Sequence, residues 1–157
     1  MNKNINKYYW INIAKMIAEA STCSTKVGAI IVYQNEIKGM GYSGSIHKDD
    51  HCINTNCIKV NNHFEKGFSN SGESCIRTIH AEVNAILKCN IRGTIKNWLE
   101  IYTTHQPCLD CMKISLQIGI RKFYWIKDYR DINRDIYLNN INKNIRKQIY
   151  LEKVNYE

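Results

Sequence analysis

The run Val27-Gly28-Ala29-Ile30-Ile31-Val32 does most to limit what this chain can fold into. It is short, rich in β-branched residues and bounded by polar sequence, which predicts a buried strand. The segments around it alternate between helical and extended patterns. Residues 5–20 place Tyr9, Ile13, Met16, Ile17 and Ala20 at helical spacing and predict an amphipathic helix. Tyr33-Gln34-Asn35-Glu36 predicts a hairpin turn, without the Asn-Gly pair that such turns favour. A second strand is expected over 37–42, where Gly39, Gly41 and Gly44 suggest close backbone approach. The spacing then predicts a helix over 78–89, a strand over 100–104, and a helix from Pro107 to Gln117 ended by Gly119. A strand over 122–126 follows, then a helix over 131–147 striped by Ile132, Ile136, Ile141 and Ile145, and a last strand over 149–154. The order α-β-β-α-β-α-β-α-β implies an α/β fold with helices packed on a mixed sheet. The 157 residues suit one domain, 1–157, with no repeat or linker.

One stretch has no period. Residues 45–75 hold Cys52, Cys57 and Cys75 together with His47, His51 and His63. Loops of that length are uncommon inside compact domains unless they are functional or stapled. Residues 61–74 within it are polar and rich in Gly, Ser and Asn, and are expected to form a flap.

Composition narrows the classes. No apolar run is long enough for a membrane span. The N-terminus reads Met-Asn-Lys-Asn-Ile-Asn-Lys, with no apolar core and no small-residue cleavage site, so a cytoplasmic setting is expected. The net charge of +8 would suit a polyanionic partner, but the basic residues are scattered and form no block. Charge alone therefore does not mark a nucleic-acid binder. Seven cysteines is an odd number, and in a reducing compartment metal ligation is a better default than a disulfide framework.

Two motifs carry chemistry. His80-Ala81-Glu82 opens one predicted helix, and Pro107-Cys108-Leu109-Asp110-Cys111 opens another. Cys108 and Cys111 are three apart and share one face of a helical turn. Their thiolates would sit at the positive end of that helix, which favours ionisation. His80 would add a neutral nitrogen. A catalytic zinc takes three protein ligands and leaves a fourth position open, where it lowers the pKa of water to about 7. Glu82 lies two residues from His80, poorly placed as a ligand but able to carry protons. The alternative is a structural zinc, which would need a fourth closed ligand that neither motif offers. A His-x-Glu followed by Pro-Cys-x-x-Cys is the signature of the zinc deaminases.

The resemblance extends well beyond these motifs. Ser21-Thr22-Cys23-Ser24-Thr25-Lys26-Val27-Gly28-Ala29, Gly41-Tyr42-Ser43-Gly44, Asp49-Asp50-His51-Cys52 and Cys75-Ile76-Arg77-Thr78-Ile79-His80-Ala81-Glu82 all resemble the deoxycytidylate (dCMP) deaminase family, of the bacterial competence-operon and phage type. Gly119-Ile120-Arg121-Lys122 and Lys127-Asp128-Tyr129 continue the likeness, which covers residues 8–130. It implies a cytidine deaminase-like three-layer α-β-α sandwich around a five-stranded mixed sheet. The implied reaction is hydrolysis of dCMP to dUMP and ammonia, with Glu82 catalytic and His80, Cys108 and Cys111 on zinc. It also implies a cytoplasmic homo-oligomer, a hexamer by preference, with feedback by dCTP and dTTP and Mg2+ accompanying them. Ser43 stands where the family usually has Asn, which in the wider fold contacts base or sugar. The stretch 62–74 is longer than usual in the family, and the tail after Asp131 is unusually Asn-rich.

The resemblance implies a second, structural zinc near the long loop, and closing that loop with metal would offset its ordering cost. His51, Cys52, Cys57 and Cys75 form the expected set, with Cys23 as an alternative fourth ligand; the bland reading is three free thiols. Cys89 reads as core. For the substrate phosphate, Ser24, Thr25 and Lys26 are the candidates, Lys26 being equally readable as a surface lysine. The backbones of Ala81 and Thr104 would read the amino group and ring edge by resemblance to the deaminase fold. His105 would pack on the sugar or be a plain loop histidine. Tyr124 and Tyr129 read as core ahead of base stacking. Two rival classes share these residues: a deaminase of a base in nucleic acid (tRNA adenosine or single-stranded cytosine), and a non-catalytic zinc module that binds nucleotides. The residues around the two motifs favour a free nucleotide, either dCMP or another such as dCTP.

Overall fold

A computed structural model of the chain describes residues 3–55, 57–61, 73–91 and 98–155. In chain order the elements are α1 (Lys3–Ala18), β1 (Gly28–Tyr33), β2 (Glu36–Tyr42), α2 (Cys52–Thr55), β3 (Lys59–Asn61), β4 (Glu73–Cys75) and α3 (Ala81–Leu87). They continue with β5 (Leu99–His105), α4 (Leu109–Gln117), β6 (Ile120–Lys127), α5 (Ile132–Asn140), α6 (Lys143–Arg146) and β7 (Tyr150–Lys153). Five strands form one sheet in the order β2-β1-β5-β6-β7. β1 is antiparallel to both neighbours, while β5, β6 and β7 run parallel. Parallel neighbours require a crossover, which α4 supplies between β5 and β6, and α5 with α6 between β6 and β7.

Side-chain alternation explains the layers. Ile30, Val32 and Tyr102 face α1 and pack with Trp10, Ile11 and Ala14. Ala29, Ile31, Ile101 and Phe123 face the other way and pack with Ala81 and Ala85 of α3, Met112 of α4 and Leu138 of α5. β1 is thus buried on both faces, as its unbroken apolar run requires. The result is the expected three-layer sandwich. Among the described residues no helix is long and apolar enough to cross a membrane.

Several elements differ from their sequence patterns. The buried stripe of α1 is Trp10, Ile11, Ala14 and Ala18, while Tyr9 and Met16 are exposed. Small residues win that face because Gly28 approaches so closely that an added Cβ would lie 2.0 Å from the Ala14 carbonyl oxygen. The hairpin turn puts Gln34 at φ 49° and Asn35 at φ 62°, the left-handed pair that matches strand twist, without any glycine. The expected 131–147 helix is two: Ile141 is extended, and Asn142 caps α6 by accepting from Asn144 N–H. Ile136 and Ile145 are exposed, and Arg134 and Leu138 are the buried residues of α5. The long aperiodic stretch holds α2 and an antiparallel hairpin of β3 with β4 that pairs Lys59 with Cys75. The expected flap lies mostly outside the described residues.

Gly39 and Gly41 let α3 rest directly on β2. A Cβ at Gly41 would meet Ala85 N at 2.4 Å and Ala81 O at 2.5 Å, and one at Gly39 would meet Ala85 O at 2.4 Å. Gly44 is different, since a Cβ there would meet nothing nearer than 3.8 Å. Close approach at Gly44 is therefore not part of the fold. Gly41→Ala should lift α3 and cost about 1–3 kcal/mol in urea denaturation, whereas Gly44→Ala should stay within about 0.5 kcal/mol. Equal losses at the two positions would contradict this packing.

Candidate active site

His80 and Cys108 arrive at one place by different routes. Gly44 and Ile79 exchange backbone hydrogen bonds of 3.2 and 2.8 Å, which fix the chain just before His80. Cys108 follows the C-terminal end of β5, the edge at which α/β sheets place their ligands. Both residues occupy the N-cap of their helix, α3 and α4 respectively, in extended backbone, and neither side chain caps its own helix. Such positions usually carry Ser, Thr, Asp or Asn, whose oxygens bond the first amides. Here the imidazole and the thiol are turned to each other instead. The helices start later than their patterns suggest: α3 begins at Ala81, and Pro107 precedes α4 by two residues.

The His80 Nδ1 atom lies 3.3 Å from Cys111 Sγ and 3.6 Å from Cys108 Sγ. The three ligand atoms all fall within 4.8 Å of one another. A tetrahedral zinc with Zn–S about 2.3 Å and Zn–N about 2.0 Å spaces its nitrogen and sulfur ligands about 3.5 Å apart. The donor set and its spacing therefore fit zinc. Hydrogen bonds to Cys111 and His80 hold the Cys108 thiol down to about 4, and the same bond pushes Cys111 up. The Cys108 bond raises His80 to about 9. Cys111 is buried, Cys108 half-buried and His80 exposed, so the cluster opens on the histidine side.

Glu82 sits beside this cluster without joining it. It is 4% exposed, and burial raises its carboxyl above the usual range, against the pull of the nearby His80. Its carboxyl also bonds the Cys111 thiol. Ala81 is the first residue of α3 and fully buried; an amide at that position has no acceptor within its own helix.

A second cluster joins Cys52, Cys57 and Cys75, again within 4.8 Å. The Cys52 and Cys75 sulfurs are 3.7 Å apart, close to the 3.8 Å or so expected of two thiolates on one zinc. Burial raises Cys52 to about 12; against the same burial, the hydrogen bonds of Thr78 and Arg77 draw Cys75 down to about 7. His51 is not brought to these thiols. Its Nδ1 bonds the Thr22 hydroxyl at 3.0 Å on an exposed face. Cys23 is one residue removed, with its sulfur 3.1 Å from Thr78 Oγ1. Cys89 packs against the core.

The expected substrate residues are scattered. Ser24 Oγ lies 3.5 Å from Cys57 Sγ, at the second cluster. Lys26 pairs with Glu19 at the surface. Ser43 is buried, and its hydroxyl is spent on Val27 N–H, Thr25 O and Ser21 Oγ, so it pins the α1–β1 junction to the end of β2 and has nothing left for a base. Thr104 Oγ1 accepts from Gly28 N–H and lies 3.0 Å from His105 Nδ1. Burial and Lys127 lower His105, which favours its neutral form. Tyr124 stacks on Tyr102 with centroids 4.6 Å apart, on the α1 side of the sheet and away from the cluster. Sequence reasoning missed Asp131 and Arg134, which bond the Pro107–Leu109 turn; an Asp just before a helical pattern is a readable cap signal.

Comparison with known proteins agrees with this geometry. The family described as cytidine and deoxycytidylate deaminase zinc-binding region matches residues 4–127. ComE operon protein 2 of Bacillus subtilis (strain 168) is 38% identical over 123 residues, which are 78% of this chain and 59% of that protein. The deoxycytidylate deaminase of Mycobacterium phage D29 is 31% identical over 76% of this chain and 93% of its own length. The structure of dCMP deaminase from the cyanophage S-TIM5, in complex with dCMP and dUMP, is 26% identical with a TM-score of 0.68 and covers 98% of this chain and 99% of that one. The chain spans 59% of the length of the Bacillus protein, so what that whole protein does is not carried over. The chain belongs to the cytidine and deoxycytidylate deaminase zinc-binding family.

Proposed function

We propose that this protein hydrolyses dCMP to dUMP and ammonia, with His80, Cys108 and Cys111 holding a catalytic zinc and Glu82 moving the proton. The observation that carries the proposal is a buried carboxyl of raised pKa set against an imidazole–dithiol cluster that opens to solvent on one side. The likeness to a cyanophage dCMP deaminase over nearly the whole of both chains supports this nucleotide as substrate. Zinc, when bound, supplies a Lewis acid that activates water at neutral pH. The protein's own part is proton management. Burial raises the Glu82 carboxyl; Glu82 would take one proton from the attacking water and give it to the ring nitrogen, then take a second from the hydroxyl so added and give it to the departing amino group. The amide of Ala81 and the end of β5 at Thr104 and His105 are the groups proposed to meet the base and sugar.

Cys52, Cys57 and Cys75 are proposed to hold a second, structural zinc, with the fourth ligand supplied from outside this trio. The 3.7 Å sulfur spacing supports it. By family resemblance we also infer a hexamer in the cytoplasm, regulated by dCTP and dTTP with Mg2+.

The decisive assay is ammonia release from dCMP, dCTP, deoxycytidine and a single-stranded oligonucleotide, each with and without dCTP or dTTP as effector. Turnover of dCMP is expected; turnover confined to the polymer, or none on any cytosine nucleotide, overturns the proposal. Glu82→Gln should lower kcat by about 10²–10⁴-fold while zinc content is unchanged. The same variant reports on burial. A raised carboxyl pKa favours folding fully only below the unfolded value near 4.3, and that advantage is lost as pH rises through the folded value. Gln has no such loss. The zinc-free variant should therefore gain Tm over zinc-free wild type progressively from pH 4 to pH 8, and a pH-independent difference would contradict a buried, raised Glu82. For the second site, Cys57→Ser should take zinc from about two equivalents per chain to about one, with unchanged content arguing against it.

A further inference from the structure

The Cys108 turn has an unusual problem. Cys108 is the N-cap of α4, and its sulfur is turned to His80. The amide of Leu109, the first residue of α4, needs an acceptor from elsewhere. That acceptor is Asp131 Oδ2 at 2.7 Å, from the residue that starts α5. The other carboxylate oxygen accepts from Arg134 N–H at 3.1 Å and so caps α5 itself. Arg134 then reaches back, and its Nη1 donates to the carbonyl of Pro107 at 2.9 Å. The two peptide groups that flank Cys108 are thus both held by α5.

Burial makes this arrangement costly. Arg134 is 3% exposed and Asp131 8% exposed. The Arg134 Nε atom is buried without a hydrogen-bond partner, its nearest carboxylate being Asp135 at 3.4 Å. An apolar residue of similar volume generally serves stability as well as or better than a buried charge so incompletely satisfied. Neither residue lies within the family match, which ends at 127.

We propose that Asp131 and Arg134 are positioning residues that clamp the Pro107–Leu109 turn and aim Cys108 at the metal. The clamp rests on the reading of Cys108 as a zinc ligand. Its carboxylate holds the amide on one side of Cys108. Its guanidinium fixes the carbonyl on the other side. Groups that orient metal ligands in this way are typically worth 10–100-fold in metal affinity or activity.

Two variants separate this role from plain stability. Asp131→Asn keeps one acceptor oxygen, enough to cap α5, because Asn caps helices about as well as Asp; its amide nitrogen cannot accept from Leu109. Arg134→Met keeps the buried volume and removes the donor to Pro107. Full-length protein would be loaded with Cd2+ or Co2+, the thiolate-to-metal absorption recorded, and release to a chromogenic chelator timed. Each variant should release metal about 10–100-fold faster than wild type. The absorption should be altered and kcat for dCMP lowered, with KM held within about twofold. Tm of the metal-free protein should be unchanged or, for Arg134→Met, raised. Metal release and absorption like wild type, or release that changes only in step with lost Tm, would overturn the clamp. If Asp131→Asn fails to fold, Arg134→Met decides alone. Cys108→Ser is the control for the underlying reading. Wild-type absorption in that variant removes Cys108 as a ligand and the clamp with it, whereas its loss there, beside unaffected clamp variants, sinks the clamp alone.

Discussion

Two helix N-termini point at one spot, and most of the structure follows from making that tolerable. α3 and α4 both begin at the cluster, so the positive ends of two helix dipoles converge there. Bare, this convergence is repulsive. Sulfur in its anionic form relieves it, and hydrogen bonds from Cys111 and His80 hold the Cys108 thiol down to about 4. The arrangement suits a cation bound by thiolates, since metal binding displaces the protons these groups would otherwise share. Glu82, buried beside the cluster, adds a carboxyl whose pKa that burial raises.

The scaffold that brings the helices together relies on what is missing from side chains. Gly39 and Gly41 let α3 lie on β2 with no Cβ between them, and Gly28 does the same for α1 on β1. On the other side, the parallel crossover from β5 to β6 launches α4 from the sheet's C-terminal edge. The partners of α4 are farther along the chain. Asp131 and Arg134 tie its first turn to α5, so the motif's geometry depends on residues that follow β6.

The second cluster has a comparable role in the long 45–75 stretch. Three thiols draw α2 and the β3–β4 hairpin to one point. The segment between α1 and β1 is tied to the same region, through Thr22 to His51, Cys23 to Thr78 and Ser24 to Cys57.

The strands and the grouping of His80 with Cys108 and Cys111 were legible in the residues because their signals are local. An apolar β-branched run can only be buried, and His-x-Glu with Cys-x-x-Cys carries its chemistry in its spacing. Helix faces were less legible. The α1 stripe was legible at Ile13 and Ile17, which pack on that core, but not at the exposed Tyr9 and Met16, and the α5 stripe was misread because Arg134 took a core position. Ser43, Ser24, Lys26 and His51 looked like ligands by their place in motifs. Ser43, Ser24 and His51 meet partners from other segments, and hydrogen-bonding capacity spent on one partner is unavailable to another, while Lys26 pairs with nearby Glu19 at the surface. By itself the sequence determined the layers, the two cysteine groups and the chemistry that zinc and a carboxyl allow. Only the tertiary structure decided how Glu82 is buried, which thiols meet, and that α5 holds the peptide groups on both sides of Cys108, because those depend on contacts between residues far apart in the chain.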